Sequence, residues 1–395
     1  MRTIIALLSL LALTPVLATA AGQAAQLSPV PVTAVQLQDS FWAPRLQLNR
    51  QTVIPHNIKF CQTTGRIDNF AKAGGLMPGS FEGIFFNDSD VYKVLEGCAY
   101  SLGQFRDPVL EKTVDDIIDK IASAQQPDGY LYTFYTLRKE LDKRFSNLKD
   151  MHEMYCAGHL IEGAVAYYQA TGKRKLLDVA IKLADCLDNT FGPDKRHGCC
   201  GHEEIELALV KLAGVTKNPR YFKLAEFFIN ERGHDACGRK LYGDYAQDDI
   251  PLRTRAEIAG HAVRAMYFFA GAADVAAAGG DQQTIKALDT IWHDVVDRKM
   301  YLTGGIGPSA HNEGFTVPYD LPNDSAYAET CAAIGMVFWN HRMALLHADA
   351  KYADVMERCM YNGVISGVSL DGQKFFYVNP LASRGRHHRQ VWFDC

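Results

Sequence analysis

The stretch Gly158-His-Leu-Ile-Glu-Gly-Ala164 opens a helical hairpin that recurs along this chain. Its first helix ends at a Thr171-Gly172 turn, and a second helix with apolar residues at three- and four-residue steps follows. The same order begins again at Gly201-His-Glu-Glu-Ile-Glu-Leu-Ala208 and passes through the turn at Asn218-Pro219, and a third copy begins at Gly260-His261. A repeated hairpin of this length indicates either an open solenoid or a closed ring.

The first helices of these hairpins are rich in Ala, Gly and other small residues, which lets them crowd around a common axis. We therefore predict an all-α fold closed into an α/α toroid, with an open solenoid of the tetratricopeptide type as the alternative. In a toroid the starts of the inner helices converge on one mouth, so His159, His202 and His261 are expected to surround a common cavity. The predicted helices cover residues 91–104, 108–124, 158–170, 173–187, 202–212, 219–231, 255–274, 282–296, 326–346 and 352–365.

Composition and charge narrow the class of protein. With 395 residues and 48% hydrophobic content, the chain can bury a large core. A net charge of −4, with acids and bases interspersed, forms no basic stripe of the kind that a phosphate backbone requires. We therefore expect no nucleic acid partner.

The N-terminus has the pattern of an export signal. Arg2 precedes an apolar run over residues 4–13, and Ala18-Thr19-Ala20 offers a small-x-small cleavage site. We predict a signal peptide over residues 1–20 and a periplasmic or secreted protein. A membrane anchor is the alternative, but the apolar run is too short to span a bilayer. Residues 21–45, with several prolines and alternating apolar positions, are predicted to form an extended arm, and residues 46–395 a helical barrel.

Ten cysteines in an exported chain first suggest disulfides, but a domain of this size does not need them and the spacing shows no framework. Pairing among Cys156, Cys186 and the Cys199-Cys200 doublet is one expectation. A role for other cysteines as metal ligands is the second.

The segment YLTGGIGPSAHNEGFTVPYDLPNDSAYAETC, residues 301–331, holds the candidate chemistry, because a loop this long in a compact helical fold is more often functional than idle. Glu313 is a candidate general acid whose pKa a partly desolvated pocket would raise. A solvated loop glutamate is the alternative. Glu329 and Cys331 offer an oxygen and a sulfur ligand for Zn²⁺, which needs four ligands. A buried inert cysteine beside a surface glutamate is the other interpretation.

Three further patterns have two interpretations each. A single Gly-His at a helix start is typical of a cap, whereas three in register indicate a cavity where neutral imidazoles hold sugar hydroxyls. Tyr130 and Tyr132 follow a turn and suit either a sugar platform or plain packing. Asp88-Ser-Asp90 suits a cation or hydroxylated ligand, or an N-cap for the helix that begins at Val91.

Taken together, these segments resemble glycoside hydrolase family 127, which contains retaining β-L-arabinofuranosidases. The resemblance runs from Phe41 to the last residue, and its Ala-Glu-Thr-Cys element is highly specific. The matching segments are Phe41-Trp42, Asp88-Ser-Asp-Val-Tyr-Lys93, the Gly-His hairpins, Gly304-Gly-Ile-Gly307, Glu313-Gly-Phe315, Tyr319-Asp-Leu-Pro-Asn323, Tyr327-Ala-Glu-Thr-Cys331, Tyr377-Val-Asn-Pro380 and Trp392-Phe-Asp-Cys395.

The resemblance implies an (α/α)6 barrel followed by β-sandwich modules, and a Zn²⁺ held by one glutamate and three cysteines. Glu329 and Cys331 would be two of these ligands, and Glu313 would be the general acid/base. The resemblance also implies a substrate-binding set for the arabinose ring, with the choice between His152 and His159 left open. That set comprises His202, His261, Tyr377 and His152.

In the family, the other two zinc cysteines, one of them the nucleophile, lie in a Cys-x-Cys-Cys-Pro element, and Cys395 resembles its leading cysteine. We therefore expect this chain to stop before its nucleophile and to be inactive alone. The predicted function is release of terminal β-L-arabinofuranose from plant glycans. The alternatives are a sugar hydrolase or lyase that uses only carboxylates and histidines, and a glycan-binding fragment without catalysis.

Overall fold

The computed structural model describes residues 25–385, and helices dominate this part of the chain. Its β-structure is limited to isolated bridges, such as those that join Gly314 to His261 and Val378 to Glu329. The fourteen α-helices of these residues are α1 Trp42–Leu48, α2 Ile54–Thr63, α3 Arg66–Ala73, α4 Asp88–Gln104, α5 Pro108–Ala124, α6 Thr133–Arg138, α7 Glu153–Thr171, α8 Lys175–Thr190, α9 Ile205–Thr216, α10 Pro219–Glu231, α11 Ala262–Gly279, α12 Gln282–Arg298, α13 Thr330–His347 and α14 Ala350–Cys359.

Twelve of these helices form six hairpins: α2–α3, α4–α5, α7–α8, α9–α10, α11–α12 and α13–α14. The first helix of each hairpin packs against the first helix of the next, in the order α2, α4, α7, α9, α11 and α13. The prediction of an (α/α)6 toroid is confirmed, and the open tetratricopeptide-type solenoid is wrong. The inner helices α7 and α11 are buried around most of their circumference, while the outer helices bury one stripe.

Helices α5 and α10, whose N-termini are capped by side chains, begin and end at the predicted residues. The side chain of Asp107 accepts a hydrogen bond from the backbone N–H of Leu110 at 3.1 Å, and Pro108 occupies the first position of α5. Asn218 and Pro219 start α10 in the same way. These two helices span the predicted residues, because capping is a local signal.

Helix starts at the mouth differ from the prediction. Helix α7 begins five residues earlier than predicted, at Glu153, whereas α9 and α11 begin later, at Ile205 and Ala262. The residues immediately before α9 and α11, among them His202 and His261, are buried, and the N–H groups of Gly201 and His261 are bonded to other loops, so tertiary contacts set these boundaries.

Close approach of the inner helices depends on glycine. A Cβ atom at Gly158 of α7 would lie 2.5 Å from the side chain of Glu204, and one at Gly335 of α13 would lie 2.6 Å from Met266. Real Cβ atoms do not approach heavy atoms this closely, so any larger residue would push neighbouring inner helices apart. The small residues therefore act as the sequence analysis expected.

The toroid closes where α14 and the residues after it lie against the N-terminal helices. The indole N–H of Trp42 donates to the hydroxyl of Tyr361 at 3.1 Å, and a groove of about 2140 Å³ lies along this seam. Residues 25–41 contain no α-helix, and their one helical element is a 3₁₀ turn over Val32–Ala34. Helix α1 begins at Trp42, inside the segment predicted to be an extended arm.

None of the helices in the described region is both long enough and apolar enough to cross a membrane.

Two predictions fall on residues outside the described range: the signal peptide over residues 1–20 and the role of Cys395. Within residues 25–385, the cysteines named as disulfide candidates are free thiols, so that expectation is wrong for them. Cys156, Cys199 and Cys200 are each about 1% exposed or less, in a core with enough apolar area to need no cross-link.

Candidate active site

Three histidines lie side by side at the mouth of the toroid, where the inner helices begin. His152 precedes α7, His202 lies three residues before α9, and His261 is the N-cap of α11. The ring centroids are 5.4 Å apart between His152 and His202, and 5.8 Å apart between His202 and His261. The structure therefore brings three of the predicted substrate-binding residues together.

His159 does not belong to this group. It lies in the second turn of α7, is 4% exposed, and contacts the ring of Tyr155 at 4.5 Å. Tyr155 in turn contacts His202 at 4.3 Å, so this tyrosine separates His159 from the mouth. The expectation that His159 would line the cavity is wrong, since α7 begins earlier than predicted and places His152 at its start.

The hydrogen bonds of each imidazole fix its tautomer. Nδ1 of His152 lies 2.7 Å from the carbonyl oxygen of Asp150, and Nδ1 of His202 lies 3.1 Å from that of Glu203. A carbonyl only accepts, so both Nδ1 atoms carry the proton and both Nε2 atoms are acceptors. His261 has the opposite tautomer, because its Nδ1 accepts hydrogen bonds from two backbone N–H groups in the first turn of α11. Its Nε2 is therefore the donor.

All three histidines are neutral at neutral pH. Burial lowers the pKa of His152 to about 4 and lowers the pKa values of His202 and His261 below the ordinary range. The guanidinium of Arg264 adds to each of these shifts. Arg264 donates to the carbonyl of Gly201 and lies 4.6 Å from the ring of Tyr245, so it also joins the loops of His202 and His261.

Glu313 reaches the mouth on a loop that is paired to the start of α11. The N–H of Ala262 donates to the carbonyl of Glu313 at 3.0 Å, and the N–H of Phe315 donates to the carbonyl of Gly260 at 2.9 Å. A Cβ atom at Gly314 would lie 1.8 Å from that same carbonyl, so only glycine fits between the two segments. Glu313 itself has a φ of 48°, an uncommon conformation for a non-glycine residue.

The carboxylate of Glu313 faces two donors. The hydroxyl of Tyr327 donates to Oε2 at 3.0 Å, and Nε2 of His261 lies 3.7 Å from the same oxygen. The His261 imidazole beside the carboxylate lowers the pKa of Glu313 below its ordinary value. Desolvation by burial opposes this shift but is the smaller effect. The expectation of a raised pKa is wrong, because the pocket supplies donors and leaves the side chain 27% exposed.

Glu329 and Cys331 lie together at the start of α13, and Glu329 is 2% exposed, so the interpretation of a surface glutamate is wrong. Burial raises the pKa of Glu329 to about 7, although the Cys331 thiol and the Tyr377 hydroxyl beside it partly oppose the rise. An antiparallel bridge between Glu329 and Val378, and a hydrogen bond from the N–H of Thr330 to the carbonyl of Tyr377, bring Tyr377 to this site. Burial also raises the pKa of the Cys331 thiol.

These residues fit a metal ion in part. The buried atom Oε2 of Glu329 has no hydrogen-bond partner among the described residues, which is a costly arrangement unless a cation or water binds it. Ligand atoms of His261, Glu313 and Glu329 all lie within 4.8 Å of one another, and this is the one such group of three found in residues 25–385. The oxygen and sulfur of Glu329 and Cys331 suit Zn²⁺ and supply two of the four ligands it needs.

The remaining candidates have structural roles. Tyr130 and Tyr132 are buried and donate to the carboxylate of Glu153 at 2.6 Å and to the carbonyl of Met151 at 2.5 Å, so the packing interpretation is right. Asp88 accepts hydrogen bonds from the backbone and hydroxyl of Thr133. Helix α4 begins at Asp88, three residues before the predicted start, and the side chain holds α6 in place.

Several residues of the site were missed by the sequence analysis. Tyr327 was quoted in a motif but given no role, although its distance of two residues from Glu329 was a signal. Tyr245 forms an edge-to-face contact with His261 at 5.5 Å, and its carbonyl accepts from the N–H of His261 at 3.2 Å. Arg264 and Tyr155 lie on the inward faces of α11 and α7. Nothing in their local sequence marks them.

The chain is similar to known glycosidases. A family model described as β-L-arabinofuranosidase, GH127 catalytic domain, matches residues 34–395. A non-reducing end β-L-arabinofuranosidase from Bifidobacterium longum subsp. longum is 42% identical over 362 residues, which cover 83% of this chain and 55% of that protein.

Two solved structures share the fold. Ara127N-Se, a GH127 β-L-arabinofuranosidase from Geobacillus stearothermophilus T6, is 47% identical with a TM-score of 0.88, over 91% of this chain and 62% of that one. BT3674, a GH127 β-arabinofuranosidase, is 48% identical with a TM-score of 0.89, over 95% of this chain and 60% of that one. The chain spans 55–62% of the length of these relatives. It belongs to glycoside hydrolase family 127.

Proposed function

We propose that this chain is the catalytic barrel of a retaining glycosidase that releases terminal β-L-arabinofuranose from plant glycans. The observation that carries the proposal is the position of Glu313, whose carboxylate faces His261 and Tyr327 at the mouth formed by the inner helices. The names of the relatives support the substrate class, because those proteins are described as β-L-arabinofuranosidases.

The histidines and Tyr377 would hold the arabinose ring. The acceptor Nε2 atoms of His152 and His202 suit two sugar hydroxyl donors, since both rings are neutral. The donor Nε2 of His261 is directed at Glu313 and orients that carboxylate. Tyr377, beside Glu329, completes the proposed substrate-binding set.

Glu313 would serve as general acid/base. Its lowered pKa favours the ionised form, which suits the step in which water is activated. In the opposite step the carboxylic acid must protonate the leaving oxygen, and Tyr327 and His261 keep the side chain oriented for both. A retaining double displacement places the acid/base about 5 Å from the nucleophile. Glu329 lies within that range of Glu313, and Cys331 is beside it.

Glu329 and Cys331 are the proposed ligands of a Zn²⁺ ion. When bound, the metal would keep a cysteine nucleophile ionised and help the sulfur to leave the anomeric carbon. Of the cysteines in residues 25–385, Cys331 is the one whose thiol lies beside Glu329, and it is already assigned to the metal. We therefore propose that this chain binds the sugar without hydrolysing it.

One observation favours a second candidate function. Side-chain oxygens of Glu313 and Glu329 lie no more than 4.8 Å apart, which is close to the separation of about 5 Å between the two carboxyl groups of a retaining glycosidase. In this candidate Glu329 would be the nucleophile. Zinc would then be dispensable, and the chain would itself release arabinose.

The experiment has a binding arm and a hydrolysis arm. Calorimetry with L-arabinose should detect binding to the full chain, and His202→Ala should weaken that binding by about tenfold because one hydroxyl acceptor is lost. Incubation with 4-nitrophenyl β-L-arabinofuranoside should release no nitrophenol, while a full-length GH127 relative should. Absence of L-arabinose binding would overturn the proposed function. Hydrolysis by the chain that persists with a metal chelator would favour the carboxylate pair.

Export to the periplasm or medium is also proposed. It rests on the pattern of residues 1–20 alone.

A further inference from the structure

Arg264 differs from the other buried arginines of residues 25–385. Four arginine side chains are buried in this part of the chain. A carboxylate pairs with each of the other three, in Arg66–Asp90, Arg232–Glu203 and Arg255–Asp249. Arg264 forms no ion pair within 4.0 Å with any described residue, and its hydrogen bond goes to a carbonyl. A buried charge without a counter-charge destabilises a fold, so its presence indicates a role for the charge itself.

The guanidinium of Arg264 lies between the loops that carry the pocket histidines. Its Nη1 donates to the carbonyl of Gly201, the residue before His202, and its Cζ lies 4.6 Å from the centre of the Tyr245 ring. The backbone N–H of Arg264 donates to Nδ1 of His261 at 3.4 Å. Nε has no hydrogen-bond partner among the described residues. The side chain is therefore held by a carbonyl and an aromatic ring, and both leave its positive charge uncompensated.

The positive charge acts on the two imidazoles that the proposed function gives to sugar hydroxyls. The rings of His152 and His202 lie 5.4 Å apart, and protonation of either would turn its Nε2 from an acceptor into a donor. Burial is the main cause that lowers the pKa of both, to about 4 for His152, and Arg264 is the strongest charge acting in the same direction.

Other titratable groups also face these two rings. Among the described residues they are Lys93 of α4, Tyr155 of α7, His261 and Tyr267 of α11, and Asp150 and Glu203 in the loops before α7 and α9. Lys93 acts with Arg264 on His152, whereas Asp150 acts against it. Arg264 is the one cation among them that acts on both rings from a fixed position between two loops.

We propose that Arg264 is a positioning residue of the sugar pocket, whose unpaired charge keeps His152 and His202 neutral so that both accept sugar hydroxyls in acidic solution. This inference rests on the proposed function, in which these two rings hold arabinose. A charge in a poorly solvated pocket acts over several ångströms without contact. The alternative is that Arg264 only clamps the two loops together. A clamp would affect sugar binding equally at every pH, whereas a charge would matter most at low pH.

The test is calorimetry with L-arabinose at pH 8 and pH 5 on the unsubstituted chain, Arg264→Gln and Arg264→Lys. The affinity of the unsubstituted chain should change by less than about twofold between these pH values. Arg264→Gln should bind about three- to tenfold more weakly at pH 5 than at pH 8, because the imidazoles then take up protons. Arg264→Lys keeps the charge and should not show this loss. Arg342→Gln, which breaks a pair with Asp274 at 2.6 Å on another inner helix, is the matched control and should not show it either.

Two results of the calorimetry would overturn the inference. One is the same pH dependence in Arg264→Gln as in the unsubstituted chain. The other is a loss at pH 5 in Arg264→Lys as large as that in Arg264→Gln, because the charge would then not be the cause. Thermal melting at both pH values verifies that each variant is folded.

NMR of ¹⁵N-labelled histidines in the sugar-free protein is an independent measurement. The signals of His152 and His202 should remain those of neutral imidazoles from pH 8 to pH 5 in the unsubstituted chain and should titrate in that range in Arg264→Gln. Protonation of either ring above pH 5 in the unsubstituted chain would overturn the inference even if the glutamine variant failed to fold. If the unsubstituted chain bound no L-arabinose, the proposed function would fail, and the NMR titration would still decide the effect of Arg264.

Discussion

Nε2 of His261 and Oε2 of Glu313 lie 3.7 Å apart because the backbone segments that carry them are hydrogen-bonded to each other. The same imidazole caps α11 through Nδ1, so one side chain fixes a helix start and orients the proposed acid/base. The site and the fold are therefore coupled at this residue. Two substitutions can separate its roles.

We predict that His261→Asn retains the cap of α11 but binds L-arabinose less tightly. His261→Ala should lose both the cap and the tight binding. Asparagine is a good N-cap and alanine is not, so the alanine variant should lose about 1 kcal/mol of unfolding free energy while the asparagine variant loses at most a few tenths. Urea denaturation measures the first effect and L-arabinose calorimetry the second. A stable asparagine variant that binds L-arabinose as tightly as the unsubstituted chain would contradict the role of the imidazole.

The second prediction concerns Arg232, a fully buried guanidinium that pairs with Glu203 at 3.0 Å and Glu206 at 3.3 Å. Arg232→Met should destabilise the chain by about 3–5 kcal/mol, because two buried carboxylates lose their counter-charge. Arg220→Met, which breaks a pairing with Asp188 at the surface, is the control and should cost less than about 1 kcal/mol.

Arg232 also donates to the carbonyls of Cys200 and Ala246, in the loops that precede α9 and α11. If equilibrium unfolding in urea gave similar losses for Arg232→Met and Arg220→Met, the interpretation of Arg232 as a clamp on these loops would be wrong.

The third prediction concerns pH. Burial raises the pKa of Glu153 to about 7, above the value near 4.5 that a glutamate has in an unfolded chain. The folded state then binds this proton more tightly, so its stabilising effect is present below about pH 4.5 and is lost as the pH rises to about 7. Glu153→Gln cannot ionise and should lack this loss.

The unfolding free energy of the unsubstituted chain minus that of Glu153→Gln should therefore fall between pH 5 and pH 8, by an amount on the order of 1–3 kcal/mol. Urea denaturation at several pH values measures it. Glu357→Gln, on the exposed side of α14, is the matched control. If this subtracted value stayed constant or rose with pH, the raised pKa of Glu153 would be contradicted.

The fourth prediction tests the metal ligands. Co²⁺ added to the full chain in place of Zn²⁺ should give a thiolate-to-metal absorption band, because Cys331 supplies sulfur. Cys331→Ser should remove the band and Glu329→Gln should weaken metal binding. Cys237→Ser, at the exposed cysteine of the described region, should leave the band unchanged. A band that survived Cys331→Ser would place the metal elsewhere.

The fifth prediction tests export. Expressed with its own N-terminus in a bacterium, the chain should be recovered from the periplasm or medium with Ala21 as its first residue. Mass spectrometry of the intact protein identifies that terminus. Replacement of Ala20 by a large residue should block the cleavage. Recovery of uncleaved protein from the cytosol would contradict the signal peptide.

Much of the fold was predictable because its signals are local. Apolar residues at three- and four-residue steps predicted α5 and α10 with the limits that the structure gives them, where Asp107 and Asn218 are the caps. Repeated hairpins with small residues in their first helices indicated a closed ring. The pairing of Glu329 with Cys331 came from the family resemblance, because their spacing alone also suits a buried cysteine beside a surface glutamate.

What the amino-acid sequence determined by itself was the helical repeat, the caps and the order of the site residues along the chain, because each depends on groups a few positions apart. Only the tertiary structure decided that His152 and not His159 lies at the mouth, that Tyr130 is buried, and that the pKa of Glu313 is lowered and not raised. Each of these depends on burial and on donors from distant segments, and desolvation and hydrogen bonding act through space and not along the chain.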